Sequence, residues 1–278
     1  MNFKKIIKTS LVLLSLSILI LFSVISYEVH KQNIVIKELL SKNLDGYLIP
    51  HKINNIHKLN SILYDNIRSF ELDLNFYSVN GNNYFEIGHN KSTSDGYILE
   101  DYLKLVKNKK IKKIWLDVKN VSKNNIHKIL NRLDYLDKKY HIKKISIFET
   151  PTRIKELKLI SDAGYHTSHY LPYSLSFPIV EQNKKILQWQ INDIVNLINT
   201  QNLKAISFDS DLYSFVKKYI EPNISKNIVY HTWTGHRIRH KEEYNKLKHE
   251  PYYNDPRVKT IIYAYYHPLF HNIIQKIL

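Results

Sequence analysis

The chain has 278 residues, 44% of them apolar, which is long enough for one large domain or two small ones. It carries 41 Lys and Arg against 25 Asp and Glu, a formal net charge of +16. Because the lysines are spread along the whole chain and few basic residues are arginines, we expect no nucleic-acid partner. We expect the positive charge to favour an anionic membrane surface instead. The absence of cysteine excludes disulfides, thiolate metal sites and a cysteine nucleophile.

An apolar segment without any charge runs from Thr9 to Tyr27, after Lys4, Lys5 and Lys8. As a helix it would be about 28 Å long at ~1.5 Å per residue, which is enough to cross the hydrocarbon core of a membrane. Lysines that precede a span stay in the cytoplasm, so the residues after it are expected on the outer side.

A cleaved signal peptide is the rival interpretation of this segment, with Val24 and Ser26 as the small residues before the cut. The apolar run is long for a signal peptide and lacks a clear cleavage site, which favours an uncleaved anchor. We therefore predict a cytoplasmic tip and membrane anchor, or signal peptide, over residues 1–29. A single extracytoplasmic domain is predicted over residues 30–278.

Strand-like and helical patterns alternate along the remainder of the chain. Apolar residues in the helical segments recur at three- and four-residue spacing, as in helices that cover a sheet. The strand-like runs are 46–50, 67–77, 83–89, 112–119, 143–150, 164–172, 203–209, 227–233 and 258–266. With the third run as an extra hairpin arm, the pattern predicts an α/β fold, a (β/α)₈ TIM barrel preceded by one N-terminal transmembrane helix. A doubly wound open sheet is the alternative, but no Gly-rich phosphate turn follows the first strand.

The second strand carries two acids on one side. In FELDLNFY, residues 70–77, Glu71 and Asp73 are two positions apart, so both carboxylates point in the same direction. Two like charges that close are costly unless a cation lies between them. This strand is therefore either an exposed edge or part of a cation site.

Chemically capable residues fall at the carboxyl ends of the predicted strands, where TIM barrels place their sites. They are His51, Glu71, Asp73, His89, Asp117, Lys119, Glu149, His169, Asp209, His231 and Trp233. Asp209 is equally suited to cap the helix that follows its strand. Hard oxygen ligands that suit Ca²⁺ or Mg²⁺ better than zinc are offered by Glu71, Asp73 and Asp117.

Two histidines and a lysine complete this set. His51 and His89 are candidates for the general base and the general acid. Lys119 would add positive charge for a phosphoryl oxygen. Together with a divalent cation, these residues predict the cleavage of a phosphodiester.

The ordered set resembles the glycerophosphodiester phosphodiesterase-like TIM-barrel superfamily. That family carries His-Arg-Gly after the first strand, Glu-x-Asp on the second, His-Asp on the insertion arm and Glu-x-Lys on the third. The counterparts here are His51-Lys52-Ile53, Glu71-Leu72-Asp73, His89-Asn90 and Asp117-Val118-Lys119. The resemblance implies a metal held by the three carboxylates and an acid/base pair of histidines. It also relates Trp233 to the tryptophan near the family's seventh strand.

The chain departs from the family pattern at three positions. Lys52 replaces a phosphate-binding arginine and so lacks its bidentate fork, Ile53 replaces glycine, and Asp117 replaces glutamate. These changes resemble the menorin-like branch of the superfamily. Its His-x-x-Asn is matched from His51 to Asn54, and its Ser-Asp motif before an acidic helix start is similar to residues 94–103.

The first functional interpretation is a membrane-anchored phosphodiesterase that acts on a glycerophosphodiester, a lipid headgroup or a phosphate-linked glycan. Its candidate substrate contacts are Lys52, Asn54, Glu149, His169 and Trp233. The second interpretation is a non-catalytic barrel that binds a phosphorylated or sugar ligand. A glycoside hydrolase, with Glu71 or Asp73 paired to Glu149, is a distant third.

A polar and aromatic segment, residues 231–256, separates the last two predicted strands and is expected to form a lid or specificity loop. It contains His231, His236 and His240. Their spacing is not that of a closed zinc site, so we expect no metal there.

Overall fold

The computed structural model describes residues 3–90, 94–171, 184–238 and 240–265. Its strands are β1 Leu48–His51, β2 Ser69–Val79, β3 Asn82–Ile87, β4 Lys113–Val118, β5 Ser146–Thr150, β6 His166–Tyr170, β7 Ala205–Asp209, β8 Val229–Arg237 and β9 Val258–Ala264. Its helices are α1 Phe3–Ser41, α2 Ile56–Tyr64, α3 Leu99–Val106, α4 Ile126–Tyr140, α5 Lys158–Asp162, α6 Lys184–Thr200, α7 Tyr213–Phe215 and α8 Lys241–His249.

Each predicted strand run overlaps one of these strands, with ends that differ by a few residues. The run ends at residues 172 and 266 lie outside the described residues. The same is true of the side chains of Lys4, Lys5, Lys8 and His236.

The strands form one sheet in the order β1-β9-β8-β7-β6-β5-β4-β2-β3. In the part of the chain that the structure describes, β3 is antiparallel to β2 and every other pairing is parallel. Asn80 and Gly81, with φ of 49° and 81°, form the two-residue turn that makes β3 a hairpin arm. Apart from this arm, the strands follow one another around the sheet without the reversal that marks a doubly wound fold.

The sheet curls until the end of β1 meets β2. The Ile53 N–H, just after β1, donates to the Glu71 carbonyl at 3.0 Å. The result is a mixed α/β fold whose curled sheet resembles a TIM barrel, with its main core between the sheet and the outer helices. A smaller apolar cluster lies inside the curl and contains Ile49, Trp115 and Ile147.

Strand β2 shows how the sequence distinguishes the outer face of the sheet from its inner face. Phe70, Leu72 and Leu74 belong to the main core, while Glu71 and Asp73 line an internal cavity. This alternation follows from the two-residue period of a strand.

Helix α1 continues well beyond the predicted anchor. It is an unbroken helix of 39 residues, and it crosses the predicted boundary at residues 29 and 30. Val29, Val35 and Leu39 in its second half are buried. Residues 9–24, in its first half, are exposed. Within the described residues, one helical stretch, Thr9–Ser41, is long and apolar enough to cross a membrane, and a signal sequence would meet the same test.

The expected lid over residues 231–256 is instead part of the scaffold. Its first residues extend β8 to Arg237, and helix α8 follows. Tyr244 and Leu247 in α8 are buried. These two side chains, three positions apart, form the packed face of the short helix. The mostly polar composition of the segment gave no sign of this face.

Candidate active site

A cavity of about 430 Å³ opens at the carboxyl ends of the strands, inside the curled sheet. Lys52, Lys119, Glu149 and Trp233 line it, together with carboxylates and histidines from β1, β2, β4 and the loop after β3. Neighbouring parallel strands end at the same edge of a sheet, which is why residues far apart in the sequence meet here.

Three carboxylates form the centre of the cavity wall. Glu71 and Asp73 extend from β2, Asp117 extends from β4, and the parallel pairing places Asp73 opposite Asp117. One oxygen of each lies within 4.8 Å of the others. Glu71 and Asp73 are each 1% exposed, so an exposed strand edge is excluded at this point. Within the described ranges, no other group of acids and histidines is close enough together to hold a metal ion.

Two carboxylate oxygens of this cluster have no hydrogen-bond partner among the described residues. Glu71 Oε1 and Asp117 Oδ1 are buried and accept no hydrogen bond from any described residue. Burial, with the charges of Asp73 and Asp117, raises the pKa of Glu71 well above its ordinary value. Burial also raises the pKa of Asp117. A buried set of hard oxygens with unfilled acceptor sites fits a divalent cation such as Ca²⁺ or Mg²⁺.

Lys119 brings positive charge to the cluster from within the protein. Its Nζ lies 2.8 Å from Asp73 Oδ1 and also donates to Asp117 Oδ2. Burial would lower the pKa of Lys119, but the two carboxylates outweigh it and hold the pKa above its ordinary value. Burial would raise the pKa of Asp73, but Lys119 and Asn54 hold it below its ordinary value. The lysine therefore partly relieves the repulsion that the sequence predicts.

His51 ends β1 and faces Glu71, with 3.6 Å between His51 Nε2 and Glu71 Oε2. Burial, followed by the charge of Lys52, lowers the pKa of His51 to about 4. The imidazole is therefore neutral near pH ~7 and able to accept a proton.

His89 follows β3 and contacts a different carboxylate, with 3.4 Å between His89 Nδ1 and Asp73 Oδ1. Its side chain is 55% exposed, against 31% for the half-buried His51. The preceding Gly88 has φ of 146°, and a Cβ there would lie 3.0 Å from Ser94 Cα, so this turn requires glycine. The two histidines thus approach the acidic cluster from different elements, and His89 is the more exposed of the two.

The loop after β1 is bonded to β2. Lys52 has φ of 55°, and its N–H donates to Glu71 Oε2 at 2.6 Å. Asn54 Nδ2 donates to Asp73 Oδ2 at 2.6 Å. Asn54 does not line the cavity. It therefore positions a carboxylate, in place of the substrate contact that the sequence predicts for it.

Aromatic rings form another part of the cavity wall. The rings of Tyr170 and Trp233 have centroids 4.8 Å apart, and the fully buried Trp115 also lines the cavity. Glu149 lies beside Trp115, and its Oε2 is buried without a hydrogen-bond partner among the described residues. Burial and the charge of Asp117 raise the pKa of Glu149 well above its ordinary value. The cavity thus offers flat apolar surfaces and a carboxyl group whose protonated form is favoured by burial.

His169 is not part of the cavity, although the sequence places it there. It pairs with Ile206, a residue of the core beneath the helices, and so lies on the outer face of β6. Glu149 pairs with Ser168, which puts Ser168 and Tyr170 on the inner face. Tyr170 therefore lines the cavity in place of its neighbour. Within β6 the two-residue period shows only that His169 and Tyr170 face opposite sides, and the pairing with β5 decides which of them faces the cavity.

Trp115, which sequence reasoning missed, precedes Asp117 by two positions and shares its face of β4 for the same reason. His231, predicted at the mouth, lies further inside. Its ring centroid is 5.3 Å from that of Trp115, and its Nε2 is 2.9 Å from His166 Nε2.

The remaining predicted residues lie away from the cavity. The Asp209 side chain accepts from the Asp211 N–H at 3.0 Å and so caps the helical turn after β7. His240 Nε2 lies 3.3 Å from Glu28 Oε2 in α1.

No protein-family model and no curated protein matches this chain. Solved structures do match it. A glycerophosphodiester phosphodiesterase from Parabacteroides distasonis is 12% identical with a TM-score of 0.52, over 84% of this chain and 96% of that one. A protein from Agrobacterium tumefaciens assigned as a glycerophosphoryl diester phosphodiesterase is 9% identical with a TM-score of 0.54, over 83% and 97%. At these identities the likeness establishes a shared fold.

Proposed function

We propose that this chain is a membrane-anchored, divalent-cation-dependent phosphodiesterase that acts outside the cytoplasm on a glycerophosphodiester or related phosphodiester. The carrying observation is the group of buried carboxylates with unpartnered oxygens, set between two histidines at the mouth of the curled sheet. The fold shared with phosphodiesterases supports the same conclusion.

The roles follow from the surroundings of each group. Glu71, Asp73 and Asp117 would hold a Ca²⁺ or Mg²⁺ ion, which when bound would supply positive charge to stabilise the phosphoryl group. Lys119 adds a second positive charge from the protein and keeps Asp73 ionised.

Proton transfer is assigned to the histidines. His51, which is neutral because it is buried, takes a proton from the attacking nucleophile. His89, which is exposed, acts as the general acid and donates its own proton to the leaving oxygen. Lys52, Glu149 and Trp233 contact the substrate from the cavity wall.

The division of the chain into an anchor over residues 1–29 and a phosphodiesterase-like barrel over 30–278 belongs to the same proposal. The lysines before the apolar segment of α1 support an outer location of the barrel. The His51 to Asn54 motif supports a position close to the menorin-like branch.

Turnover by the full chain in detergent tests this function. The substrates are bis-p-nitrophenyl phosphate and glycerophosphocholine, after chelation and after return of Ca²⁺, Mg²⁺ or Mn²⁺. We expect metal-dependent hydrolysis that falls by at least ~10²-fold in His51→Ala and His89→Ala. His127→Ala, on the exposed face of α4, is the matched control and should retain full activity. Metal-independent turnover, or full activity without His51, would contradict the proposal.

One observation favours the second candidate, a barrel that binds a phosphorylated ligand without cleaving it. Lys119 already contacts two of the three carboxylates and so satisfies part of the cluster without a metal ion. A metal-induced rise in melting temperature that requires Glu71, in the absence of any turnover, would establish this binding function.

A further inference from the structure

The direction of α1 relative to the barrel carries information about the substrate. The second half of α1 packs on the outside of the barrel, with Val29, Val35, Ile36 and Leu39 buried. With the buried Gln32 between Val29 and Val35, these positions recur at three- and four-residue spacing and so form one face of the helix. Because α1 is continuous from Phe3 to Ser41, this packed half sets the direction in which the apolar half projects.

Two side-chain contacts give the direction. Glu28 contacts His240, the residue just before α8, with 3.3 Å between Glu28 Oε2 and His240 Nε2. Glu38 lies 4.0 Å from Lys248 Nζ in the last turn of α8. Helix α8 begins after the carboxyl end of β8 and ends before β9, so it runs from the mouth of the barrel to its base. Helix α1 therefore runs alongside it in the same direction, with Glu28 at the level of the mouth.

The apolar half of α1 thus projects past the mouth of the barrel, on the side where the cavity opens. Its side chains from Leu11 to Val24 are exposed, so no residue that the structure describes covers them. Hydroxyl groups in this half donate to carbonyls one turn earlier, as Ser15 Oγ does to the Leu11 carbonyl at 2.9 Å. Such internal bonds leave the helix surface ready for a hydrocarbon environment.

The residues at the change from apolar to polar surface are those of a membrane interface. Lys31 Nζ lies 4.2 Å from the ring centroid of Tyr27, a pairing of aromatic and basic groups that suits the headgroup layer. That layer adds roughly 5–7 Å to each side of the hydrocarbon core, which corresponds to about four helical residues. With Tyr27 at the hydrocarbon boundary, Glu28 and the mouth of the barrel lie in the headgroup layer.

We propose that the cavity faces the membrane that anchors the chain, and that its substrate is a phosphodiester held in the headgroup layer of that membrane. This inference rests on the proposed phosphodiesterase function and names its substrate class. Water attacks the phosphorus, the bond from phosphorus to the leaving oxygen breaks, and that oxygen receives a proton. The products are a phosphomonoester and an alcohol.

The cavity lining agrees with such a substrate. Lys52 and Lys119 supply positive charge for the phosphate, and the rings of Tyr170 and Trp233 supply flat apolar surface for the groups attached to it.

Fluorescence transfer to labelled lipid tests the orientation without any need for activity. The natural chain has no cysteine, so a single cysteine can be labelled specifically. Asp211→Cys places a donor dye at the mouth, after β7, and Lys226→Cys places one at the base, before β8. Both positions are exposed. With the full chain in vesicles that contain an acceptor-labelled lipid, we expect stronger transfer from position 211. Equal transfer, or stronger transfer from position 226, overturns the orientation.

Release of choline tests the substrate. Choline-labelled phosphatidylcholine is placed either in the vesicles that carry the full chain or only in separate vesicles, and glycerophosphocholine is the soluble counterpart. If the mouth faces the membrane that anchors the chain, choline should be released at least ~10-fold faster from lipid in the same vesicle than from lipid in separate vesicles. The reason is the high effective concentration of lipid in the anchoring membrane. Equal release from both vesicle populations overturns the inference.

The remaining outcomes separate this inference from the proposed function. If glycerophosphocholine is hydrolysed but no choline is released from phosphatidylcholine in either vesicle population, the substrate inference is overturned and the phosphodiesterase function stands. If no substrate is hydrolysed, the phosphodiesterase function and the substrate inference both fail, while stronger transfer from position 211 would still uphold the orientation.

Discussion

Asn54 and Asp73 are joined by two reciprocal hydrogen bonds. Asn54 Nδ2 donates to Asp73 Oδ2 at 2.6 Å, and the Asp73 N–H donates to Asn54 Oδ1 at 3.0 Å. The pair joins the loop after β1 to β2, where the curled sheet closes. The same contact therefore holds the fold together and orients a carboxylate of the candidate metal site.

Removing this contact should weaken both stability and metal binding. We expect Asn54→Ala to lower the free energy of unfolding by about 1.5–3 kcal/mol, because a buried charged acceptor loses a donor. Metal affinity should fall by roughly 10–100-fold, because Asp73 is no longer held in place. Chemical denaturation and metal titration measure the two effects.

The adjacent asparagine is the matched control for this prediction. Asn55 caps α2 by accepting from the Lys58 N–H at 2.9 Å. Asn55→Ala should cost about 1 kcal/mol of stability and leave metal affinity unchanged. Equal loss of metal affinity in both variants would contradict the role assigned to Asn54.

Replacing Lys119 should make the fold more dependent on metal. Lys119→Met removes the cation that contacts Asp73 and Asp117, so the metal-free protein should lose about 3 kcal/mol of stability. The rise in melting temperature on adding Ca²⁺ should become larger, since the ion then neutralises more repulsion. Turnover should be lost. Lys123→Met, at an exposed position, is the control. A smaller rise with metal would show that Lys119 helps the ion to bind.

Glu149→Gln should separate the chemical role of this side chain from its packing. Burial and Asp117 raise the pKa of Glu149 well above its ordinary value, which favours the protonated carboxyl, a group of the same shape as an amide. We expect an unchanged or higher melting temperature and a fall in kcat/KM of about tenfold, from one weakened substrate contact. Glu149→Ala should lower the melting temperature, because it leaves a void. Destabilisation of the glutamine variant to the same extent would indicate an ionised, structurally paired Glu149.

Acid should destabilise the fold through an internal histidine pair. His166 Nε2 and His231 Nε2 are 2.9 Å apart, and burial lowers the pKa of His166 to about 4 and that of His231 well below 6.5. The unfolded chain binds protons that the folded chain does not between pH ~6.5 and pH ~4, so stability should fall as the pH falls through this window.

Urea unfolding at pH ~7 and pH ~5 measures this effect. His166→Gln should reduce the loss of stability by roughly 1–2 kcal/mol relative to the natural chain. His127→Gln, on the exposed face of α4, should leave the loss unchanged. An equal pH dependence in all three proteins would exclude the pair as its source.

Local sequence determined much of the candidate site. The two-position spacing of Glu71 and Asp73 places their carboxylates on one face of β2, whatever surrounds that strand. The Asn80-Gly81 turn makes β3 a hairpin arm, because both residues tolerate positive φ. The alternation of strand and helix patterns was enough to predict a parallel sheet with its site at the carboxyl ends.

Three features depended on contacts between distant residues. Whether His169 or Tyr170 faces the cavity was decided by the pairing of β6 with β5 and β7, since a shift of one residue exchanges the two faces. Asn54 turned out to bond Asp73 because the sheet curls until the end of β1 meets β2. The apolar residues Thr9 to Tyr27 indicated a membrane segment. Only the packing of the second half of α1 beside α8 decided that this segment leaves the barrel on the side of the cavity, because no local pattern encodes the direction of one helix relative to a sheet.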